Sequence, residues 1–554
     1  MATVALVGPE IEENLSLRYI ASSLAKAGHT TELVPFNHEG HFAPALRAIL
    51  DAPVAPAVVG ISLAFQWRAK DFLALAVALR DGGYRGHITL GGHFATFESD
   101  SLLADFPEVD SVCRQEAEDT MVKLTDALAS GRGDTLATIP GLTLRIGDDI
   151  VTTGHPPLPD LATLPWPDRR GEPAACFGHG IAPLVSSRGC YANCTFCCIA
   201  AWHEQSLPGK RYRLREVDEV AAEMVAMKRE RGVDIFVFHD DNFFVPGHKR
   251  NVERFSALAD ALERLEIGAF ATVVKARPTD VDRQVFEILK TRLHCIRAYI
   301  GIETDADQGL RTLRRWAKSK QNHVSIDLVR ALDLYTCFNV LLFDPDTTIE
   351  SIETNLDFME FAAENPFNFG RVELYAGTPL LARMKSENRC RGDYMQWDYD
   401  LGSKEVERVF DLSMRCFGSR NFGNDALANR IMGTRFDVEV ARHFHPERFD
   451  ASWLEEGKDL TRTLGLDSVR GMRRIVAHVK QDPTGQRDAA MVSELSEELR
   501  LCEDSVRARA IDLAKVLSAR IGRGAPLTDL GDRVATPLQR ARETSNYSEA
   551  LVAS

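Results

Sequence analysis

Ser187-Arg188-Gly189-Cys190-Tyr191-Ala192-Asn193-Cys194-Thr195-Phe196-Cys197 decides the fold. Three cysteines stand in it with the spacing C-x3-C-x2-C. Three thiolates from one loop can hold three irons of a four-iron, four-sulfur cluster, because soft sulfur ligands suit iron and sulfide. Cys190, Cys194 and Cys197 are therefore the predicted metal ligands. The remaining iron has no ligand from this loop. It can bind a small molecule, so the site can do chemistry as well as carry electrons. Structural zinc is the competitor, but it takes four ligands, usually as two separated cysteine pairs. No second C-x2-C pair follows. Cys198 is the adjacent thiol; a neighbouring position turns away from the cluster, and it reads as a packing residue.

The spacing, the aromatic Phe196 and the apolar run at 181–185 before the loop resemble the cluster loop of the radical S-adenosylmethionine (SAM) enzymes. The resemblance implies that the amino and carboxylate groups of SAM chelate the open iron. Strand-like runs follow at 235–239, 269–274, 296–302, 336–343 and 371–375, with helical patterns between them at 216–231, 249–265 and 281–292. With 183–186 they make six strands. The series fits the partial (β/α)6 barrel of that family, over residues 181–385, with the active site at the carboxyl ends of the strands. Asp240, Asp241 and Asn242 end the second strand, where the resemblance implies a contact with the SAM amino group. A carboxylate at a strand tip is costly unless used, although Asp and Asn also cap helices. Lys275 and Arg277 end the third strand and can pair a carboxylate. Gly301-Ile302-Glu303 resembles the family's Gly-x-Glu element, which implies that Glu303 takes the ribose hydroxyls; a capping box or an ion pair with Arg297 is the alternative. Tyr299 is a candidate catalytic residue, or core packing.

Residues 1–150 alternate strands at 4–7, 31–34, 58–63, 87–90 and 111–113 with helical stretches such as 14–27 and 70–80. That pattern predicts an α/β fold, with a doubly wound parallel sheet and a ligand at the strand carboxyl ends. Two segments there are rich in small or polar residues, 62–68 with Gln66 and Arg68, and Gly91-Gly92-His93-Phe94-Ala95-Thr96. An acidic stretch with Glu116 follows. Standing before a radical SAM loop, this domain resembles the cobalamin-binding domain of the cobalamin-dependent radical SAM group, over about residues 3 to 130. Gln66, Arg68, Gly91, Gly92, His93, Thr96 and Glu116 are the residues expected at the cobalamin. The Asp-x-His-x-x-Gly motif that supplies a lower axial histidine is missing from the first 150 residues. Arg68 is the candidate for the lower face, since an arginine has no lone pair to give cobalt.

A proline-rich stretch at 151–180 reads as an extended linker. Residues 386–554 lose the repeat and carry long helical patterns, at 450–463 and 493–521. They predict a mainly helical domain that covers the barrel mouth and completes the substrate pocket, with about fifteen frayed residues at the end. The chain has 554 residues, a net charge of −14 and 45% hydrophobic residues. Its acidity argues against a nucleic-acid partner, and no apolar run has the length of a membrane span. The first strand begins at the third residue with no signal segment before it, and eleven scattered cysteines suit a reducing cytoplasm. The expected activity is methyl transfer to a carbon of a small substrate, using the cluster, SAM and cobalamin. Within the family the chain resembles the tryptophan 2-C-methyltransferases of thiopeptide antibiotic biosynthesis, which implies L-tryptophan as substrate and leaves the proton acceptor unassigned. An external electron donor is needed if the route is radical. A radical cyclase, oxidase or ring-contracting enzyme with cobalamin as electron relay is the second expectation, and a non-catalytic iron–sulfur sensor the third.

Overall fold

The structure is a computed structural model describing residues 1–206, 211–422, 425–522 and 524–526. Seven strands form the first sheet: β1 (Thr3–Gly8), β2 (Thr30–Pro35), β3 (Val58–Ser62), β4 (His87–Gly91), β5 (Ser111–Cys113), β6 (Leu142–Ile146) and β7 (Asp149–Thr152), in the order β2-β1-β3-β4-β5-β6-β7. Strands β1 to β5 run parallel, and runs such as Val4-Ala5-Leu6-Val7 are buried on both faces beneath helices. The alternation pattern predicts parallel strands only. The structure adds the antiparallel pair β6 and β7, which turns at Gly147 with φ +61°. The short run at 149–152, exposed or half-buried, gives little hydrophobic signal for it.

The second sheet contains β8 (Ala174–Cys176) and β9 (His179–Leu184). The cluster loop carries its own ribbon, β10 (Ser187–Gly189) with β11 (Tyr212–Leu214). The sheet continues through β12 (Val233–Phe238), β13 (Ala271–Ala276), β14 (Cys295–Ile300), β15 (Thr336–Phe343) and β16 (Phe367–Arg371), in the order β16-β15-β14-β13-β12-β9-β8. Strands β9 and β12 to β16 are the six parallel strands of an open barrel, and β8 is antiparallel at its edge. The last strand lies before its predicted place at 371–375. Phe367 and Phe369 reach the core and pair with β15, and 372–375 runs on irregularly. A small ribbon, β17 (Cys390–Asp393) with β18 (Gln396–Tyr399), leads to the helical part.

Four long helices follow, at Lys404–Phe422, Leu427–Phe444, Ala451–Gln481 and Asp488–Ile521. The last two are longer than the sequence patterns suggest. None of the described helices is long and apolar enough to cross a membrane. The residues expected to fray lie outside the described residues. Among the described residues, the helix Leu427–Phe444 meets the barrel at the end opposite its mouth. Leu427, Ile431, Phe436 and Val440 pack with Ile235, Ala271 and Ile296, which begin their strands, so this domain fills the barrel from the amino-terminal side. The apolar inward faces at those strand starts need a partner, and the amphipathic helix supplies it. The mouth is met by the first domain instead: Gln66 Nε2 donates to Leu374 O, 2.9 Å, and Phe97 lies against Gly377.

Candidate active site

The cluster loop is shaped by one glycine. Gly189 has φ +89°, and a Cβ there would lie 1.8 Å from Arg211 O. Only glycine lets the β10–β11 ribbon close immediately before Cys190. Asp240 fixes the same ribbon from beneath. Its buried carboxylate accepts from Ser186 N (3.0 Å), Ser186 Oγ (2.8 Å) and Ser187 Oγ (2.5 Å). Asp240, expected at the SAM amino group, is a carboxylate 1% exposed that braces the loop through these nearest donors. Two side chains and one amide point at the cysteine sulfurs. Asn242 Nδ2 lies 3.6 Å and Ala192 N 3.4 Å from Cys190 Sγ, and Arg315 Nη1 is 3.4 Å from Cys194 Sγ. Burial pushes the Cys190 and Cys197 thiols up, so bound iron is what would hold them as thiolates. Three thiols on one loop, with an amide and a guanidinium aimed at two of them, fit an iron–sulfur cluster.

Beyond the loop, Asp241, Lys275, Tyr299 and Glu303 converge at the carboxyl ends of β12, β13 and β14. Asp241 accepts from Gly189 N (3.0 Å) and pairs with His203 Nε2 (3.2 Å). Burial pushes its pKa up, but His203, His93 and the Gly189 amide outweigh that and lower it. Glu303 holds φ +64°, an unfavourable conformation for a non-glycine residue. It is pinned there by Glu303 N donating to Asn339 O at 3.1 Å and by a single bridge to Val340. Burial raises its pKa, and the Arg315 guanidinium works against that. Arg315 also donates to Gly301 O, so one buried cation touches Cys194 and braces the Glu303 turn. Tyr299 is kept protonated by burial and by the charge of Glu303.

On the first domain, Gly92 has φ +102°, and a Cβ would meet Leu63 backbone at 2.9 Å. Thr96 stabilises that turn, donating to Gly92 O (2.8 Å) and accepting from Gln115 N (3.0 Å). His93 packs on Trp202, with ring centroids 4.9 Å apart, and burial drives its pKa down to about 4. Glu116 joins the first domain to the barrel. It accepts from Arg188 (2.6 Å) and from Arg213, and Glu118 also pairs with Arg188 (2.7 Å). This buried carboxylate is held between two guanidinium groups of the barrel domain. Arg68 is buried rather than at the surface. It donates to Phe36 O (3.0 Å) and Asn37 O (2.8 Å) and stacks on Phe36 and Phe72. Gln66 Oε1, Trp67 Nε1, Arg68 Nη2 and Trp202 Nε1 are buried polar atoms with no hydrogen-bond partner. Such orphans at the facing ends of two sheets fit a large polar ligand between them.

Sequence reasoning missed Glu12, His203, His239 and Arg315, and named Arg297 only as a partner for Glu303, where Arg315 acts instead. Glu12 belongs to the first domain, yet it pairs with His239 Nε2 of the barrel at 2.9 Å. Burial pushes Glu12 up, but the His239 bond and the charges of His239, Lys275 and Arg297 draw it down to about 2. Nothing local in the sequence marks a contact that spans two domains.

Comparisons with known proteins agree with this geometry. Residues 2–125 match the B12 binding domain, and residues 184–359 match the radical SAM superfamily. The anaerobic magnesium-protoporphyrin IX monomethyl ester cyclase of Cereibacter sphaeroides is 26% identical over 407 residues, covering 69% of this chain and 61% of its own. The hopanoid C-3 methylase of Methylococcus capsulatus is 27% identical over 351 residues, 62% of this chain and 63% of its own. The match thus spans about three fifths of those relatives' lengths. Among solved structures, the cobalamin-dependent SAM radical enzyme OxsB, with aqua-cobalamin and SAM bound, superposes over 99% of this chain and 84% of its own, at TM-score 0.66 and 16% identity. The radical SAM methyltransferase TsrM of Kitasatospora setae, with tryptophan and a SAM analogue, covers 70% of this chain and 76% of its own, at TM-score 0.57 and 18% identity. The chain thus carries a B12 binding domain followed by a radical SAM domain, in the fold shared by these solved enzymes.

Proposed function

We propose that this enzyme transfers a methyl group to a carbon of a small substrate, with L-tryptophan C2 in natural-product biosynthesis as the best specific reading. Cobalamin supplies the methyl group, while SAM and the cluster supply methyl replacement and electrons. The observation that carries the reading is the joint chamber. Glu12, Gln66 and His93 of the first domain meet His239, Leu374 and Trp202 of the barrel domain. These contacts bring the strand ends expected to hold the two cofactors face to face, which supports a direct group transfer.

Cys190, Cys194 and Cys197 would hold the cluster, and Asn242 and Arg315 would tune it through the sulfurs. Asp241 and Glu303 supply carboxylates for the SAM ammonium and ribose. Gly91, Gly92, His93 and Gln66 would bound the cobalamin. Burial keeps His93 neutral at physiological pH. Arg68 retains one buried guanidinium nitrogen without a partner and has no lone pair for cobalt. That supports a lower face with no protein ligand. Tyr299, protonated and beside Glu303, is a hydrogen-bond donor to the reacting pair. The hopanoid methylase match and the fold of the tryptophan-bound methyltransferase support the reading.

The test is anaerobic reconstitution of the cluster, addition of methylcobalamin and labelled SAM, and a screen of aromatic amino acids for label. Incorporation at C2 of tryptophan is the expected result; no transfer to tryptophan or its relatives refutes the substrate. The match to the cyclase favours a second reading, ring closure or oxidation. Product mass separates the two, since methylation adds one CH2 and oxidation removes hydrogen.

A further inference from the structure

The barrel carries two cations, Lys275 and Arg297, that among the described residues make no direct ion pair, although Glu12 acts on both through space. Lys275 and Arg297 sit on neighbouring strands, β13 and β14, and the charges of both act on Glu12 of the first domain. Register fixes their heights. Lys275 stands opposite Tyr299, and Arg297 opposite Val273, so Arg297 lies two residues, ~7 Å, deeper. Arg277 lies two residues beyond Lys275, ~7 Å nearer the cluster, and stacks on Tyr191 of the cysteine loop at 5.7 Å. The three cations thus form a ladder descending from the cluster into the barrel.

The anions around them have partners of their own. Glu12 pairs with His239, Asp241 with His203, and Glu373 accepts from Tyr375, while Glu303 lies beside Arg315. Among the described residues neither Lys275 nor Arg297 makes an ion pair or a side-chain hydrogen bond through its charged end. Arg297 Nε is buried with no partner, and its guanidinium lies 5.0 Å over the Phe436 ring, on the helix that fills the barrel. Arg297 keeps a buried donor nitrogen unsatisfied, and Lys275 is exposed on the neighbouring strand, so an entering anion can take both.

We propose that Lys275 and Arg297 bind an anionic group of the substrate, a carboxylate or a phosphate, and so select acidic small molecules. The inference rests on the enzyme reading above and deepens it. The depth of Arg297 sets this site apart from SAM, whose carboxylate belongs at the cluster and within reach of Arg277. A guanidinium and an ammonium at two heights can each donate to one anion, with Phe436 as the floor.

The test uses the reconstituted full chain and equilibrium binding by titration calorimetry. Two ligand pairs differ only in the anion: L-tryptophan against tryptamine, and adenosine 5′-monophosphate against adenosine. The expected result is that the acidic member of one pair binds roughly tenfold or more tightly, as a charge-assisted bond of ~1.5–3 kcal/mol implies. The pair that separates tells carboxylate from phosphate. In Lys275→Gln/Arg297→Gln the gap closes while cluster absorbance holds, and Arg297→Gln alone narrows the gap with SAM affinity unchanged. Arg297→Lys keeps most of the gap and controls for folding. No gap in either pair, a gap that survives the double variant, or a loss of SAM affinity in Arg297→Gln instead would each overturn the site. Intact selectivity with no mass gain of CH2 in the product would sink the methyl-transfer reading and leave the anion site standing.

Discussion

Replacing Gly189 with alanine tests how the cluster loop is made. Two costs add. The residue holds φ +89°, where a side chain is unfavourable by about 1–2 kcal/mol. The new Cβ would also sit 1.8 Å from Arg211 O, a backbone atom that cannot rotate away. Relieving that contact means parting Gly189 from Tyr212 in the ribbon. Overpacking of this kind adds about 1–3 kcal/mol. The sum, about 2–5 kcal/mol, lowers the population of the closed loop roughly 30-fold to several thousand-fold. All three cysteines remain, so thiol content is unchanged. Iron and sulfide content after anaerobic reconstitution, with the visible absorbance of the cluster, reads the effect. Gly147→Ala is the control: it shares the positive φ, +61°, but has nothing within 4 Å of the new Cβ. Gly189→Ala should take up little iron and Gly147→Ala a full complement. Equal iron in both would refute the reasoning that the ribbon presents the cysteines.

Cys194→Ala should abolish both cluster absorbance and turnover, and retention of either removes the cluster assignment. Arg169 joins Glu13 of the first domain to Glu223 of the barrel (2.7 Å) and donates to Pro183 O (2.8 Å). Arg169→Met leaves buried Glu223 with one cation fewer and should cost about 3–5 kcal/mol, seen as a lower thermal midpoint. His93 has its folded pKa lowered to about 4 by burial, below the unfolded value near 6.5. The unfolded chain therefore binds the proton first, and stability should fall by up to ~3 kcal/mol as pH drops from 6.5 toward 4. His93→Asn should flatten that part of the stability–pH curve. Arg68→His offers cobalt a ligand and should slow methyl transfer and change the cobalamin spectrum; an unchanged rate and spectrum remove the proposed role.

The parts of the site that sit inside one short segment were legible. The cysteine spacing announces itself because three ligands must share one loop, and Gly92 because its turn needs a positive φ. The two faces of the first sheet were readable from continuous apolar runs. Asp240 and Asp241 are neighbours with the same chemistry, and only the loop above them shows which one is used up by Ser186 and Ser187. That Glu116 joins two domains was illegible because its partners, Arg188 and Arg213, lie about 70 and 100 residues away. The last strand was misplaced because both 367–371 and 371–375 alternate, and pairing with β15 decides between them. The position of the helical domain was illegible for the same reason. An amphipathic helix declares that it has an apolar face, not which end of a barrel receives it.

One contact has a consequence for how such enzymes can be taken apart. Glu12 grows from the loop after β1, yet its partner is His239 at the tip of β12. Arg169 and Arg231 hold the neighbouring Glu13 from the barrel side. The wall of the reaction space is thus assembled from both halves. A chimera that borrows its cobalamin half from another protein could load every cofactor and still present a foreign wall to the substrate. Portability of the halves is limited at this one loop, and grafting residues 9–14 along with the barrel is the smallest unit that would travel intact.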